Sequence, residues 1–63
     1  MNVGEKIRYF RKEKHFSQKK LAQQAGISNT YLCDVEKGRS NCSLETLVKL
    51  ADALQVKPEE LMR

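Results

Sequence analysis

The sequence predicts an all-α fold of five short helices, and three observations carry that prediction. Apolar residues recur at helical spacing and nowhere alternate as in a strand: Val3, Ile7 and Phe10 near the start, and Leu44, Leu47, Leu50, Ala51 and Leu54 near the end. Ser17, Ser28 and Ser43 stand where helices can begin, each able to accept a bond from a free backbone N–H. Every one of these serines is also bracketed by an apolar residue just before it and another four after it: Phe16 with Leu21, Ile27 with Leu32, and Cys42 with Leu47. That is the spacing of a hydrophobic staple.

Taken in order, the first helix spans 3–14, with Val3, Ile7 and Phe10 along one face. Ser17 opens the second, 18–25, in which Ala22 is small enough for a neighbouring helix to cross closely. Ala25-Gly26-Ile27-Ser28 follows, with a glycine free to take positive φ and an isoleucine to point back into the core. The third helix, 29–37, follows Ser28, and a short glycine turn between two short helices is the helix-turn-helix pattern, here about 18–37. An ordinary αα-hairpin fits that pattern as well as a DNA reader does. Ser43 opens the fourth helix, 44–54. Pro58 suits a first helical position, Glu59 and Glu60 place negative charge in a first turn, and Val56 can staple Leu61, which sets a fifth helix over 58–62.

At 63 residues the chain has room for one domain, 1–63, and only about 60% of the unfolded surface is buried at that size. Hydrophobic residues make up 40%, too many for a disordered tail, and charged residues 32%, too many for a membrane span. The longest apolar run is Tyr31-Leu32-Cys33, so neither a transmembrane helix nor a secretory leader is expected and the cytoplasm is the default compartment. Twelve Lys and Arg against eight Asp and Glu give +4, but the surplus is lopsided. Residues 1–39 hold nine bases and four acids, whereas Lys49, Lys57 and Arg63 face Glu45, Asp52, Glu59 and Glu60 in the remainder. A positive field confined to the first two thirds points to a polyanionic partner.

On a helical wheel, Asn29, Thr30, Cys33, Asp34 and Lys37 share an arc of about 140°, opposite Tyr31, Leu32, Val35 and Glu36. Asn, Thr and Asp are poor helix formers, and short donors and acceptors suit a helix in a major groove, where base edges are approached closely. A plain solvated face gives the same pattern. The flanking charges tip the balance towards DNA, since Lys14, Lys19, Lys20, Lys37 and Arg39 are placed to reach phosphates.

Ser17-Gln18-Lys19-Lys20-Leu21-Ala22, Ala25-Gly26-Ile27-Ser28, Tyr31-Leu32, Val35-Glu36-Lys37-Gly38-Arg39 and Ser43-Leu44-Glu45-Thr46-Leu47 together resemble the Cro and lambda-repressor-like helix-turn-helix family, also called the xenobiotic-response-element (XRE) family. The likeness covers essentially the whole chain. It implies a compact five-helix DNA-binding domain, in a transcriptional regulator that binds a palindromic operator of double-stranded DNA as a homodimer. Residue by residue, it implies that Gln18 contacts a phosphate and braces the third helix, and that Ser28, Asn29, Thr30, Cys33 and Asp34 meet bases or nearby sugars. Lys37, Arg39, Ser40 and Asn41 are implied to grip the backbone, and Arg11 and Glu36 to form a largely buried ion pair. Three positions depart from the pattern. His15 stands where glycine is usual, which calls for a non-glycine residue at positive φ; Cys42 stands where proline is frequent, which predicts a less rigid loop; and Asp34 puts an acid on the reading face, suited to cytosine N4 but repelled by phosphate.

Competing chemistries find less support. Cys33 and Cys42 on a helix face and in a loop do not suggest a disulfide, nothing flanking Cys33 marks it as a thiol switch, and His15 with the two cysteines lacks zinc spacing and a fourth ligand. No metal, cofactor or small-molecule substrate is expected. Neither a phosphate loop nor a nucleophile with its base is present, which excludes an enzyme. A basic amphipathic first helix on a membrane shows the same periodicity as a core helix, and the rest of the chain needs that face. The principal alternative is a helix-turn-helix protein-interaction module of antitoxin or anti-repressor type, its charge merely solubilising. For a homodimer, Leu61 and Met62 are the candidate contacts, with core packing as the plain alternative for Leu61. The expected setting is a prokaryotic or phage regulator at the nucleoid.

Overall fold

The computed structural model describes residues 2–62 and contains five helices: α1 (Val3–Glu13), α2 (Gln18–Ala25), α3 (Asn29–Glu36), α4 (Leu44–Leu54) and α5 (Pro58–Met62). α1 and α3 each end one residue sooner than expected, because Lys14 and Lys37 serve as C-caps. All three serines cap as their spacing predicts: the hydroxyls of Ser17, Ser28 and Ser43 accept from the backbone N–H of Lys20 (3.0 Å), Tyr31 (3.0 Å) and Thr46 (3.1 Å). Two further caps lie outside the serine pattern. The Asn2 side chain accepts from Glu5 N–H at 2.8 Å, and at α5 the Glu60 carboxylate accepts from Lys57 N–H at 2.9 Å. Replacing Ser17 with alanine orphans one of the free N–H groups of α2 and is expected to cost about 1 kcal/mol, or 4–8 °C in thermal midpoint for a domain of this size, measured by circular dichroism.

Four helix exits share one backbone turn: α3 leaves through Gly38 (φ 78°), with Arg39 N–H donating to Asp34 O at 2.8 Å, and the other three add an apolar contact. Gly26 (φ 72°), His15 (φ 60°) and Gln55 (φ 59°) each turn left-handed after a helix. The next residue then donates its N–H back across the turn: Ile27 to Ala22 O, Phe16 to Arg11 O and Val56 to Ala51 O, all at 3.0 Å. Phe16, Ile27 and Val56 all pack against the core, the apolar contact that accompanies this type of cap. His15 therefore takes the positive φ that its departure from glycine required, and Gln55 does the same at a place where no sequence signal marked it.

The core is one cluster: Ile7 from α1, Leu21, Ala22 and Ala25 from α2, Leu32 and Val35 from α3, Leu47, Leu50, Ala51 and Leu54 from α4, and Leu61 from α5. α4 packs against α2, and α5 closes the far side against α1 and α4. Leu61 corrects one expectation. It is fully buried and serves as the anchor of α5, so it is unavailable as a surface contact between copies; Met62, 57% exposed, is the residue of the pair left outside. A five-residue helix has too little surface to hold itself down without burying its central apolar side chain. Gly4 is also buried, and α1 approaches the C-terminal carbonyls of α3 through it.

Among the described residues no helix is long and apolar enough to cross a membrane. Both cysteines are free thiols.

Candidate nucleic-acid interface

α3 divides as the wheel predicts. Leu32, Val35 and Glu36 are buried, whereas Asn29 and Thr30 are exposed and Cys33 and Asp34 half-exposed, with exposed Ser28 and Lys37 at the two ends. The helix is held from behind by a polar network. Glu36, only 3% exposed in its side chain, accepts from Arg11 Nε at 2.8 Å, from Arg11 Nη2 at 3.2 Å and from Gln18 Nε2 at 3.1 Å. Arg11 Nη1 completes the arrangement by donating to Phe16 O at 2.9 Å. One carboxylate thus ties α1, α2 and the end of α3 together, and a forked guanidinium suits that task because it meets both carboxylate oxygens in a fixed geometry.

Electrostatics separates this end of the molecule from the rest. Helix N-termini carry partial positive charge, and α1, α4 and α5 each offset it with an acid in the first turn, Glu5, Glu45 and Glu59 with Glu60. α2 and α3, the two helices of the helix-turn-helix, have none. Beside the start of α2 a cleft of about 150 Å³ is lined by Arg8, Arg11, Gln18, Glu36 and Lys37. Glu36 is already matched by Arg11, so Arg8 and Lys37 leave the cleft net positive. Arg8 is a site residue that no local sequence pattern singles out from the other bases of α1. Its position three residues before Arg11 on the same helix places the two on neighbouring parts of one face.

The loop after α3 carries Arg39, Ser40 and Asn41. Arg39 N–H and Ser40 N–H both donate to Asp34 O, at 2.8 and 3.4 Å, and the Tyr31 hydroxyl donates to Asn41 O at 3.2 Å. Cys42 ends this loop, at the position where proline is frequent. Its side chain packs against the core, and that burial pushes its thiol pKa up, so it behaves as a small apolar residue and not as a reactive thiolate. Lys14, Lys19 and Lys20 are exposed. The structure thus brings Arg11, Gln18 and Glu36 into one network, with Lys37 at its edge, and places Ser28, Asn29, Thr30, Cys33 and Asp34 together on one helix. Leu61 and Met62 lie apart from both.

A short polar helix face, braced from behind and flanked by cationic surface on a helix-turn-helix frame, defines a DNA-binding regulatory domain. The Helix-turn-helix family model matches residues 7–61, and the chain belongs to that family, the XRE type of transcriptional regulator. Its family and its structural neighbours are DNA-binding regulators and not enzymes. The chain is 45% identical over 56 residues to the immunity repressor protein of Bacillus phage phi105, covering 89% of this chain and 39% of that protein. It is 40% identical over 60 residues to the control protein C.BamHI of Bacillus amyloliquefaciens, covering 94% of this chain and 74% of that protein. The fold superposes with a TM-score of 0.93 on the P22 c2 repressor protein solved in complex with a synthetic operator, at 32% identity over 100% of this chain and 96% of the other. The phi105 immunity repressor is more than twice as long as the region it shares with this chain.

Proposed function

We propose that residues 1–63 form one sequence-specific, double-stranded DNA-binding domain that represses transcription as a homodimer on an inverted repeat. The observation that carries this reading is the exposed face of α3, with short polar groups where a solvated helix would carry Glu and Lys, next to two helix N-termini free of acids. Ser28, Asn29, Thr30, Cys33 and Asp34 read base edges, with Asn29 suited to adenine N6 and N7. Gln18, Lys37, Arg39, Ser40 and Asn41, joined by Arg8, neutralise and grip phosphates on either side. The match to a repressor solved on its operator supports DNA as the partner. Half-sites on one face of the duplex lie about 34 Å apart. The longest dimension of the domain is 24 Å, shorter than that spacing, so contact between two bound copies falls to projecting side chains, with Met62 the exposed apolar residue of α5. The place of action is the cytoplasm of a prokaryote, at the nucleoid.

Selection of bound sites from random duplex DNA at physiological salt tests this reading. Enrichment of a palindrome is the expected result; weak, salt-sensitive binding without enrichment would instead favour a protein-interaction module. On the selected site, Asn29→Ala or Thr30→Ala is expected to relax preference at one base position by about 1–3 kcal/mol. Arg39→Ala is expected to weaken selected and random DNA alike and to flatten the salt slope by about one. Equal behaviour of the two kinds of variant would refute this division of labour.

A further inference from the structure

Gly38, Ser40, Asn41 and Cys42 line an open cavity of about 440 Å³ together with Val3 and Gly4 of α1, Val35 of α3 and Leu47 of α4. Cys42 packs against the core at the end of this loop, whereas the residues before it border open space and are positioned by their hydrogen bonds. The backbone bonds from Gly38, Arg39 and Ser40 all return to Val35 and Asp34 at the end of α3. They hold the first part of the loop and stop at residue 40. Beyond it, the tether is the Tyr31 hydroxyl, which reaches from the first turn of α3 to Asn41 O at 3.2 Å. Among the described residues this is the one side-chain hydrogen bond between α3 and the loop. Tyr31 directly follows Asn29 and Thr30 on the same helix, so the element that presents the reading side chains also holds the far part of the loop.

We propose that the Tyr31 hydroxyl is a positioning latch, holding the loop that carries Arg39, Ser40 and Asn41 in register with the reading face of α3, so that phosphate grip and base reading engage together. The latch rests on the DNA-binding reading above and adds to it a residue that touches neither base nor phosphate. Its effect is preorganisation: without the hydroxyl the loop reaches its bound position only by being ordered during binding, which lowers affinity with no contact to DNA removed. The loss is expected to be no larger than one neutral hydrogen bond supports, about fivefold.

Tyr31→Phe keeps the ring and removes only the hydroxyl. Affinity for the selected duplex is measured at physiological salt for the parent protein, Tyr31→Phe, Asn41→Ala and the double variant, with thermal midpoints alongside. The latch predicts a loss of about fivefold for Tyr31→Phe in the parent background, a much smaller loss once the Asn41 side chain that it positions has been removed, and a thermal midpoint close to the parent. Parental affinity in Tyr31→Phe overturns the proposal. So does a full loss of about fivefold in the Asn41→Ala background, since that marks a direct phosphate contact or general destabilisation. Failure of the parent protein itself to prefer the selected duplex over random DNA would strike the DNA-binding reading, which separates the two failures.

Discussion

Replacing Glu36 with alanine is expected to lower the stability of the domain by about 3–5 kcal/mol, the cost of removing one partner from a buried ion pair. Domains of this length are held by roughly 0.05–0.15 kcal/mol per residue, about 3–9 kcal/mol in all, so the substitution removes a third or more of the total stability. The magnitude follows from what is left behind. Arg11 is only 12% exposed in its side chain, and without Glu36 two of its donors and the Gln18 amide lose their acceptor together. Glu36→Gln keeps the shape and an acceptor oxygen but leaves the guanidinium charge unmatched, and falls between the parent and the alanine variant. The informative comparison is the double replacement Arg11→Met with Glu36→Leu, which removes both charges and refills the space. Such replacements are often neutral or stabilising elsewhere, so this one is expected to recover most of the loss. Thermal and urea unfolding of the four proteins checks the series. A Glu36→Ala loss below about 1 kcal/mol would show that the pair contributes little to the fold.

The double replacement also separates stability from function. In that variant the cleft beside α2 has lost the Arg11 cation and Gln18 has lost its acceptor, so a phosphate meets one positive charge fewer and an amide free to rotate. Recovered stability with weakened DNA binding is the expected pairing. A buried ion pair contributes little net stability compared with an apolar substitute, so here its use is to fix the angle between the reading helix and its supports.

What the amino-acid sequence revealed was governed by distance along the chain. The serine caps, the Gly26 turn and the two-sided character of α3 depend on residues at most a few positions apart, and periodicity with cap chemistry reads such relations directly. The Arg11–Glu36 pair spans 25 positions, and no local pattern pointed to it; it came into view through family resemblance. Leu61 and Met62 are adjacent and both apolar, and a helix of five residues offers no second turn to show which side faces inward. Tyr31 was placed correctly on the packing side of α3, but its hydroxyl finds Asn41 only because the loop folds back over the helix. Gln55 takes a left-handed turn because the chain must return Val56, the next residue, to the core, and that requirement outweighs the preference for glycine.

Gly4 is the strongest case of a residue whose role reverses between local and tertiary views. Judged by helix propensity alone, Gly4→Ala stabilises α1, since glycine inside a helix costs about 0.5–1 kcal/mol relative to alanine. In the folded domain the sign is opposite. A Cβ added at this position would overlap the carbonyl oxygen of Val35 and lie 2.9 Å from that of Glu36 and 3.1 Å from the Glu36 carbonyl carbon. All three are backbone atoms at the end of α3, so no side-chain rotation relieves the contact. α1 must move away as a unit, and Arg11 on the same helix then loses its 2.8 Å contact with Glu36. Overpacking of a close contact costs about 1–3 kcal/mol, and more where a second interaction breaks with it. After subtracting the propensity gain, Gly4→Ala is expected to destabilise the domain by about 2 kcal/mol, or roughly 8–16 °C in thermal midpoint. A peptide spanning α1 provides the control, because there the same substitution is expected to raise helicity. Destabilisation in the domain with increased helicity in the peptide isolates the α1–α3 contact as the cause; a stabilised domain would mean that α1 and α3 do not approach as closely as the structure shows.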